Sequence, residues 1–170
     1  MKTILILLLF TISFNLSAQE TNFKIKNNKP IWQIVYNDSI TKIDFYNNKK
    51  NNNIFQSLSK NEFNDNQIDF VIKYDFTHLK PFGYKYFTSQ ILLRYDSFLY
   101  GNIEFKDNKY RVTISKIESI GIDDEIFNLL DLFVKKNKYK TSKSYIKSLL
   151  ILNNFYSSIF VNTENSNDDW

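Results

Sequence analysis

The chain contains no cysteine, one histidine, two prolines, three glycines and a single alanine among its 170 residues. Without cysteine there are no disulfides, thiol nucleophiles, thiolate zinc sites or iron–sulfur clusters, and no cysteine to carry the lipid of an anchored exported protein. His78 alone leaves zinc with only carboxylates for company, and neither a P-loop nor a GxGxxG run is present to hold a nucleotide. Arginine occurs only twice, as Arg94 and Arg111, while Asn, Ile, Lys, Phe and Tyr abound. Residues read from A/T-rich codons dominate throughout, so the bias is mutational before it is functional.

What is present is enough to build a core. Hydrophobic residues make up 43% of the chain and aromatics 17%, too much for a disordered polymer and the right amount for one domain of this length. The net charge is +4, and loss of an N-terminal leader carrying Lys2 lowers it by one. The lysines are scattered among Asp and Glu instead of gathered in a stripe, which describes a solvated surface and makes nucleic acid an unexpected partner.

Met1-Lys2 precedes an apolar run from Thr3 to Phe14, followed by Asn15-Leu16-Ser17-Ala18-Gln19-Glu20. A positive start, a short apolar stretch and small residues before a polar mature start are the parts of a secretory signal peptide, here residues 1–19 with cleavage after Ala18 or Gln19. The run falls short of the ~20 apolar residues that span a bilayer, and no later run approaches that length. The expectation is a periplasmic or secreted protein with no transmembrane helix after cleavage, in a compartment poor in nucleotide cofactors. Residues 20–161 then form a single domain, and 162–170 a flexible acidic tail.

Periodicity sketches that domain. Thr21 to Lys29 reads as an extended lead-in, and Ile31 to Tyr36 as a strand with Trp32, Ile34 and Tyr36 on one face. Ser39 to Tyr46 reads as a short helix capped by Asp38 or Ser39, although Thr41, Ile43 and Phe45 also alternate as in a strand. Asn47 to Asn53 is a loop, and Ile54 to Leu58 one or two helical turns. Ile68, Phe70, Ile72 and Tyr74 alternate with polar neighbours as a strand, a turn spans Thr77 to Gly83, and Tyr86 to Tyr95 reads as another strand. In the segment 102–114, a two-residue turn at Asp107-Asn108 sets Phe105 against Tyr110, Glu104 against Arg111 and Ile103 against Val112. That register puts Ile103, Phe105, Tyr110, Val112 and Ile114 on one wholly apolar face. Ile122, Ile126, Leu129, Leu130 and Phe133 follow a helical period behind Asp123-Asp124-Glu125. Thr141-Ser142 caps a second helix with a stripe through Tyr145 or Ile146, Leu149, Leu150, Leu152, Tyr156, Ile159 and Phe160. The architecture expected is α+β: an antiparallel sheet of about five strands, a meander containing the 103–114 hairpin, with C-terminal helices on one face.

The phrase Phe105-Lys-Asp-Asn-Lys-Tyr-Arg-Val-Thr-Ile114, together with the strand holding Trp32 and Tyr36 and a leader ending in Ser-Ala-Gln, resembles exported proteins of the Bacteroidetes. These carry a domain of unknown function with a TATA-binding-protein-like fold, and the pattern similarity runs from about Ile31 to Ile120. The resemblance implies a curved antiparallel sheet backed by helices, and brings no catalytic, cofactor-binding or metal-binding residues with it.

The residues themselves offer several chemistries. His78 with Asp75 lacks a serine in a strand-to-helix elbow, and so reads as a loop histidine. Asp123, Asp124 and Glu125 point in different directions and suit a helix start better than a cation. Asp96 followed by Glu104-Phe105-Lys106 imitates the acid, acid-x-Lys arrangement of metal-dependent nucleases, in which carboxylates hold Mg²⁺ and an ammonium sits near the attacking water. Lys106, Lys109 and Arg111 cluster at a hairpin end, where lysine also keeps an edge soluble. The reading adopted is a non-catalytic exported module of the bacterial envelope, with no cofactor, metal or catalytic residue assigned. It binds a protein, peptide or envelope component through a sheet face rich in Tyr and Phe. The alternative is a small periplasmic metal-dependent hydrolase or nuclease using Asp96, Glu104 and Lys106.

Overall fold

The computed structural model describes residues 21–62, 64–87 and 89–161; the expected leader (1–19) and acidic tail (162–170) lie outside the described residues. Its elements in chain order are β1 (Phe23–Lys26), β2 (Lys29–Tyr36), α1 (Lys42–Lys49), β3 (Phe55–Lys60), β4 (Gln67–Tyr74), α2 (Phe76–Leu79), β5 (Ser97–Lys106), β6 (Lys109–Ile120), β7 (Ile126–Asn128), α3 (Leu129–Leu132), β8 (Val134–Lys135), β9 (Lys138–Tyr139) and α4 (Lys143–Phe160). The main sheet is antiparallel and runs β1-β2-β6-β5-β4-β3, with β7 paired to the far end of β6. It is the α+β arrangement of an antiparallel sheet with a C-terminal helix on one face.

The 103–114 hairpin forms in the expected register, with Lys106 opposite Lys109, Phe105 opposite Tyr110, Glu104 opposite Arg111 and Ile103 opposite Val112. Asp107 and Asn108 take φ of 47° and 58°, the left-handed pair of a two-residue turn whose twist matches that of the flanking strands. Asn27-Asn28 (50° and 60°) and Lys136-Asn137 (51° and 57°) make two further turns of the same kind. The first of them turns the supposed lead-in into β1, a strand in its own right.

Strand β6 carries one irregularity. Ile114 pairs with Gly101 and Lys116 with Tyr100, so Ser115 is the extra residue of a bulge. The bulge resets the alternation, and Tyr110, Val112, Ile114, Ile117 and Ser119 all end on the buried face despite the three-residue step from Ile114 to Ile117. Gly101 is required opposite it, because a Cβ there would lie 2.2 Å from the Thr113 carbonyl oxygen and 2.6 Å from the Phe70 ring.

Helix α4 covers that face. Leu149, Ile151, Leu152, Phe155, Tyr156, Ile159 and Phe160 meet Trp32, Phe70, Ile72, Tyr74, Leu99, Ile103 and Ile114 in one continuous core. Polar groups in the core find partners with the exception of the buried Tyr84 hydroxyl, which has none among the described residues. Trp32 Nε1 donates to Asn153 Oδ1 at 3.0 Å, the Tyr110 hydroxyl donates to the Phe160 carbonyl at 2.6 Å, and the hydroxyls of Tyr74 and Tyr156 share a bond of 3.1 Å. Helix α1 closes the hairpin end with Phe45, whose ring meets Phe105 and Tyr110. Its cap is Thr41, whose hydroxyl accepts from the Asp44 backbone N–H, so the helix begins later than expected and runs into the Asn-rich stretch.

Three expectations fail, for related reasons. Residues 54–58 are not helical turns: after a turn at Ile54 they open β3, which takes one edge of β4 and is itself bulged between Phe55 and Ser57. Tyr86 to Tyr95 is not a strand. The other edge of β4 belongs to β5, so the segment cannot pair beside β4 and crosses to β5 as turns and a 3-10 turn at Ile91–Arg94. Residues 122–133 are not one helix. Strand β2 pairs β6 only as far as Ile114, leaving the rest of that edge free, and β7 occupies it before a single turn, α3, carries Leu129 and Leu130 into the core. Pairing a free edge outweighs a helical period whose leading members, Ile122 and Ile126, stay exposed. One long helix therefore does the covering expected of two.

Candidate functional site

Side chains alternate across the strands, so each residue buried under α4 has neighbours aimed at the opposite face, which no helix among the described residues covers. Across its middle stand Ser57 and Ser59 of β3, Asp69 and Val71 of β4, Tyr100, Asn102 and Glu104 of β5, Arg111 and Thr113 of β6, and Gln33 of β2. They line two adjoining grooves of about 430 and 360 Å³ that share Asn102 and Thr113. The expected aromatic face is corrected here. Most strand Tyr and Phe residues pack under α4, and the uncovered face carries Phe98 and Tyr100 among polar groups.

The charges in the middle of this face are already engaged. Arg111 pairs with Glu104, and Lys116 with Glu118. Asp69 accepts from Asn61 Nδ2 at 2.6 Å and from Gln67 Nε2 at 2.7 Å. Lys116 lies 5.5 Å above the Tyr100 ring. Bonded to Lys116 and Tyr100, Glu118 has its carboxyl held below the ordinary range; the same bond to Glu118, with some burial, raises the Tyr100 phenol. Gln33 Nε2 donates to Thr113 Oγ1 at 2.9 Å. By contrast, the side chains of Asn102, Ser57 and Ser59 make no hydrogen bond to another described residue, leaving an amide and two hydroxyls for a ligand.

The residues of the nuclease arrangement are dispersed. Glu104 and Lys106 do lie together, on the wall of a cleft of about 660 Å³ between the hairpin tip, the 39–41 loop and Asn64 and Asn66. Asp96 precedes the other end of β5, eight residues or about 25 Å from Glu104 along the strand, and pairs with Lys73 at 4.0 Å. Lys106 approaches Asp107 at 3.9 Å, and Lys109 stands across the turn from it. Among the described residues no three His, Asp or Glu side chains converge to hold a metal ion.

His78 and Asp75 do meet, 2.9 Å apart, as the reciprocal cap of α2. Burial alone would raise the Asp75 carboxyl, but hydrogen bonds from Thr77 and His78 and the nearby imidazole outweigh it and hold the carboxyl down to about 2. Asp123, Asp124 and Glu125 sit in the β6–β7 turn, with Asp124 at φ 58°, and not at a helix start. The helix expected after Thr141-Ser142 is α4, though the Ser142 hydroxyl makes no cap bond.

Half of this site was within reach of the sequence. Once the 107–108 register is drawn, residues 102, 104, 111 and 113 fall opposite the apolar set, but Ser57 and Ser59 joined them only when β3 proved to be a strand.

No protein-family model matches the chain, and no curated protein matches it. Two solved structures are similar in fold. One is a TBP-like protein from Parabacteroides distasonis ATCC 8503, with a TM-score of 0.49 and 13% identity over 79% of this chain and 92% of that one. The other is a DUF4468 family protein from Bacteroides ovatus ATCC 8483, with a TM-score of 0.47 and 14% identity over 82% of this chain and 86% of that one. Neither likeness transfers an activity or a ligand.

Proposed function

We propose that the chain is an exported, non-catalytic binding module of the bacterial envelope, and that a neutral, hydroxyl-rich glycan lies across its uncovered sheet face. The observation that carries this reading is the groove over Asn102 and Thr113, where amide and hydroxyl groups stand free beside the Arg111–Glu104 pair, with Lys26 and Lys29 at its outer part. A neutral ligand suits a surface whose central charges are paired or hydrogen-bonded within the protein. Sugar hydroxyls can replace the water on Asn102, Ser57 and Ser59, and the Tyr100 ring offers a flat apolar surface beside them. The leader read from residues 1–19 supports the envelope setting.

Titration calorimetry of the chain without its leader, against neutral cell-wall oligosaccharides, tests this. Binding is expected, with Asn102→Ala weakening it about tenfold, the size of one lost hydrogen bond to an otherwise satisfied ligand. The thermal midpoint should not move. Affinity unaffected by Asn102→Ala would remove the sheet face from the reading. Glu104→Ala and Lys106→Ala are expected to leave every activity of the purified protein intact, and a metal-dependent nuclease activity lost in either would replace this reading with the hydrolase.

A further inference from the structure

At the end of the sheet opposite the 107–108 turn, the connection from β4 to β5 leaves large apolar side chains in water. Phe87 is 92% exposed, Ile91 54% and Tyr86 50%. Single exposed apolar residues are ordinary, but three in one connection form a patch that marks an interaction surface.

Within the connection the charge is of one sign, and the acids at its two ends are engaged, Asp75 in the cap of α2 and Asp96 with Lys73. From Phe76 to Tyr95 there is no Asp or Glu, while Lys80, Lys85 and Arg94 are present. Gln90 Nε2 donates to Ser144 Oγ at 3.1 Å, which seats the connection on the first turn of α4 beside Lys143. That helix adds no acid either, since none occurs from Leu132 to Val161. Two of the cations lie on rings of the patch: Lys80 Nζ is 5.4 Å above Phe76, and the Arg94 guanidinium 4.0 Å above Tyr86. Arg94 makes no ion pair among the described residues; one of its terminal nitrogens donates to the Tyr86 carbonyl at 2.5 Å, and its buried Nε has no hydrogen-bond partner. An arginine without a carboxylate, oriented by an aromatic plane and one carbonyl, keeps its charge uncompensated for an anion such as phosphate. The acidic turn Asp123–Glu125 reaches the same end through the Tyr95–Phe127 ring contact and bounds the patch on that side.

Aromatic and branched apolar side chains ringed by unpaired cations match a lipid surface of negative charge. We propose that this connection docks on an anionic phospholipid surface, Phe87 and Ile91 entering the headgroup region while Lys80, Lys85 and Arg94 take lipid phosphates. The inference goes beyond the sheet-face reading and uses different residues at a different end of the molecule.

Co-sedimentation with vesicles decides it. The protein is expected to pellet with phosphatidylcholine vesicles containing about a third phosphatidylglycerol and not with phosphatidylcholine alone. Phe87→Asp should weaken binding tenfold or more, Lys85→Glu about tenfold, and added salt should release the protein. Both side chains project into solvent, so these variants keep their fold, which the unchanged circular dichroism verifies. Phe87→Trp gives a second readout, an emission shift to the blue on the anionic vesicles. Val35→Asp, an exposed apolar position on β2, and Asn102→Ala, which probes the sheet face, are both expected to bind vesicles as the wild type does. Failure to bind the anionic vesicles, or an equal loss on Val35→Asp, would overturn the proposal. So would capture of an envelope protein by wild type but not by Phe87→Asp when neither kind of vesicle binds.

Discussion

Asn153 shows how much a single polar side chain carries in this core. It sits 7% exposed on a helical face whose other buried side chains, Ser148 apart, are apolar or aromatic. Its Oδ1 accepts from Trp32 Nε1 at 3.0 Å, from the Asn22 backbone N–H at 2.9 Å and from Asn22 Nδ2 at 3.1 Å. Asn153→Ala would leave the indole N–H buried without an acceptor, and a loss of about 1 to 3 kcal/mol is expected from the urea unfolding midpoint. Nothing in the helical period of α4 signals this role, because the partners lie more than 100 residues away in sequence. Asp75 makes the opposite case, a cap formed by neighbours. Its folded carboxyl titrates near 2 against an ordinary 3.8, so the stability it adds is complete above about pH 4 and is lost as the pH falls toward 2. Thermal midpoints measured across that range should fall more steeply for the wild type than for Asp75→Ala.

Among the elements, the two-residue turns do most to set the architecture. Each places two residues at positive φ, and asparagine, which tolerates that region, occupies four of the six positions. Asn108→Val should cost about 1 to 2 kcal/mol for its left-handed backbone, whereas Asn108→Gly should not destabilise the hairpin. Thermal melts distinguish the two. The 107–108 turn was legible because strict alternation flanks it on both sides. The 27–28 turn was not, because Phe23 to Lys26 is too short to show a period, and Phe55 to Lys60 was obscured by its own bulge. The 122–133 segment shows a genuine helical period that the free edge of β6 overrode, a competition no local window contains.

For the molecule as a whole, aromatic packing sets the alkaline limit. Burial raises the Tyr74 phenol to about 12 and pushes the Tyr156, Tyr36, Tyr110 and Tyr139 phenols up as well. An unfolded tyrosine ionises near 10, so the native state holds more protons there, and stability is full below pH 10 and lost as the pH rises above it. Ultraviolet titration should show exposed tyrosines ionising first, and the buried ones only together with the loss of circular dichroism. Coincident ionisation of all tyrosines without unfolding would contradict the packing described for Tyr74 and Tyr156.

Local chemistry alone determined the 103–114 hairpin, the strands through Trp32 and Phe70, the final helix and the α+β class, because alternation and turn residues act over a few positions and leave a readable period. The tertiary structure decided which strand edges were free. That settled the identity of β1, β3 and β7, denied Tyr86–Tyr95 a place in the sheet, and gathered the aromatic side chains beneath α4. The character of both candidate surfaces follows from the same cause: backbone edges must pair and one sheet face must be covered, and only the assembled sheet shows which residues remain in water.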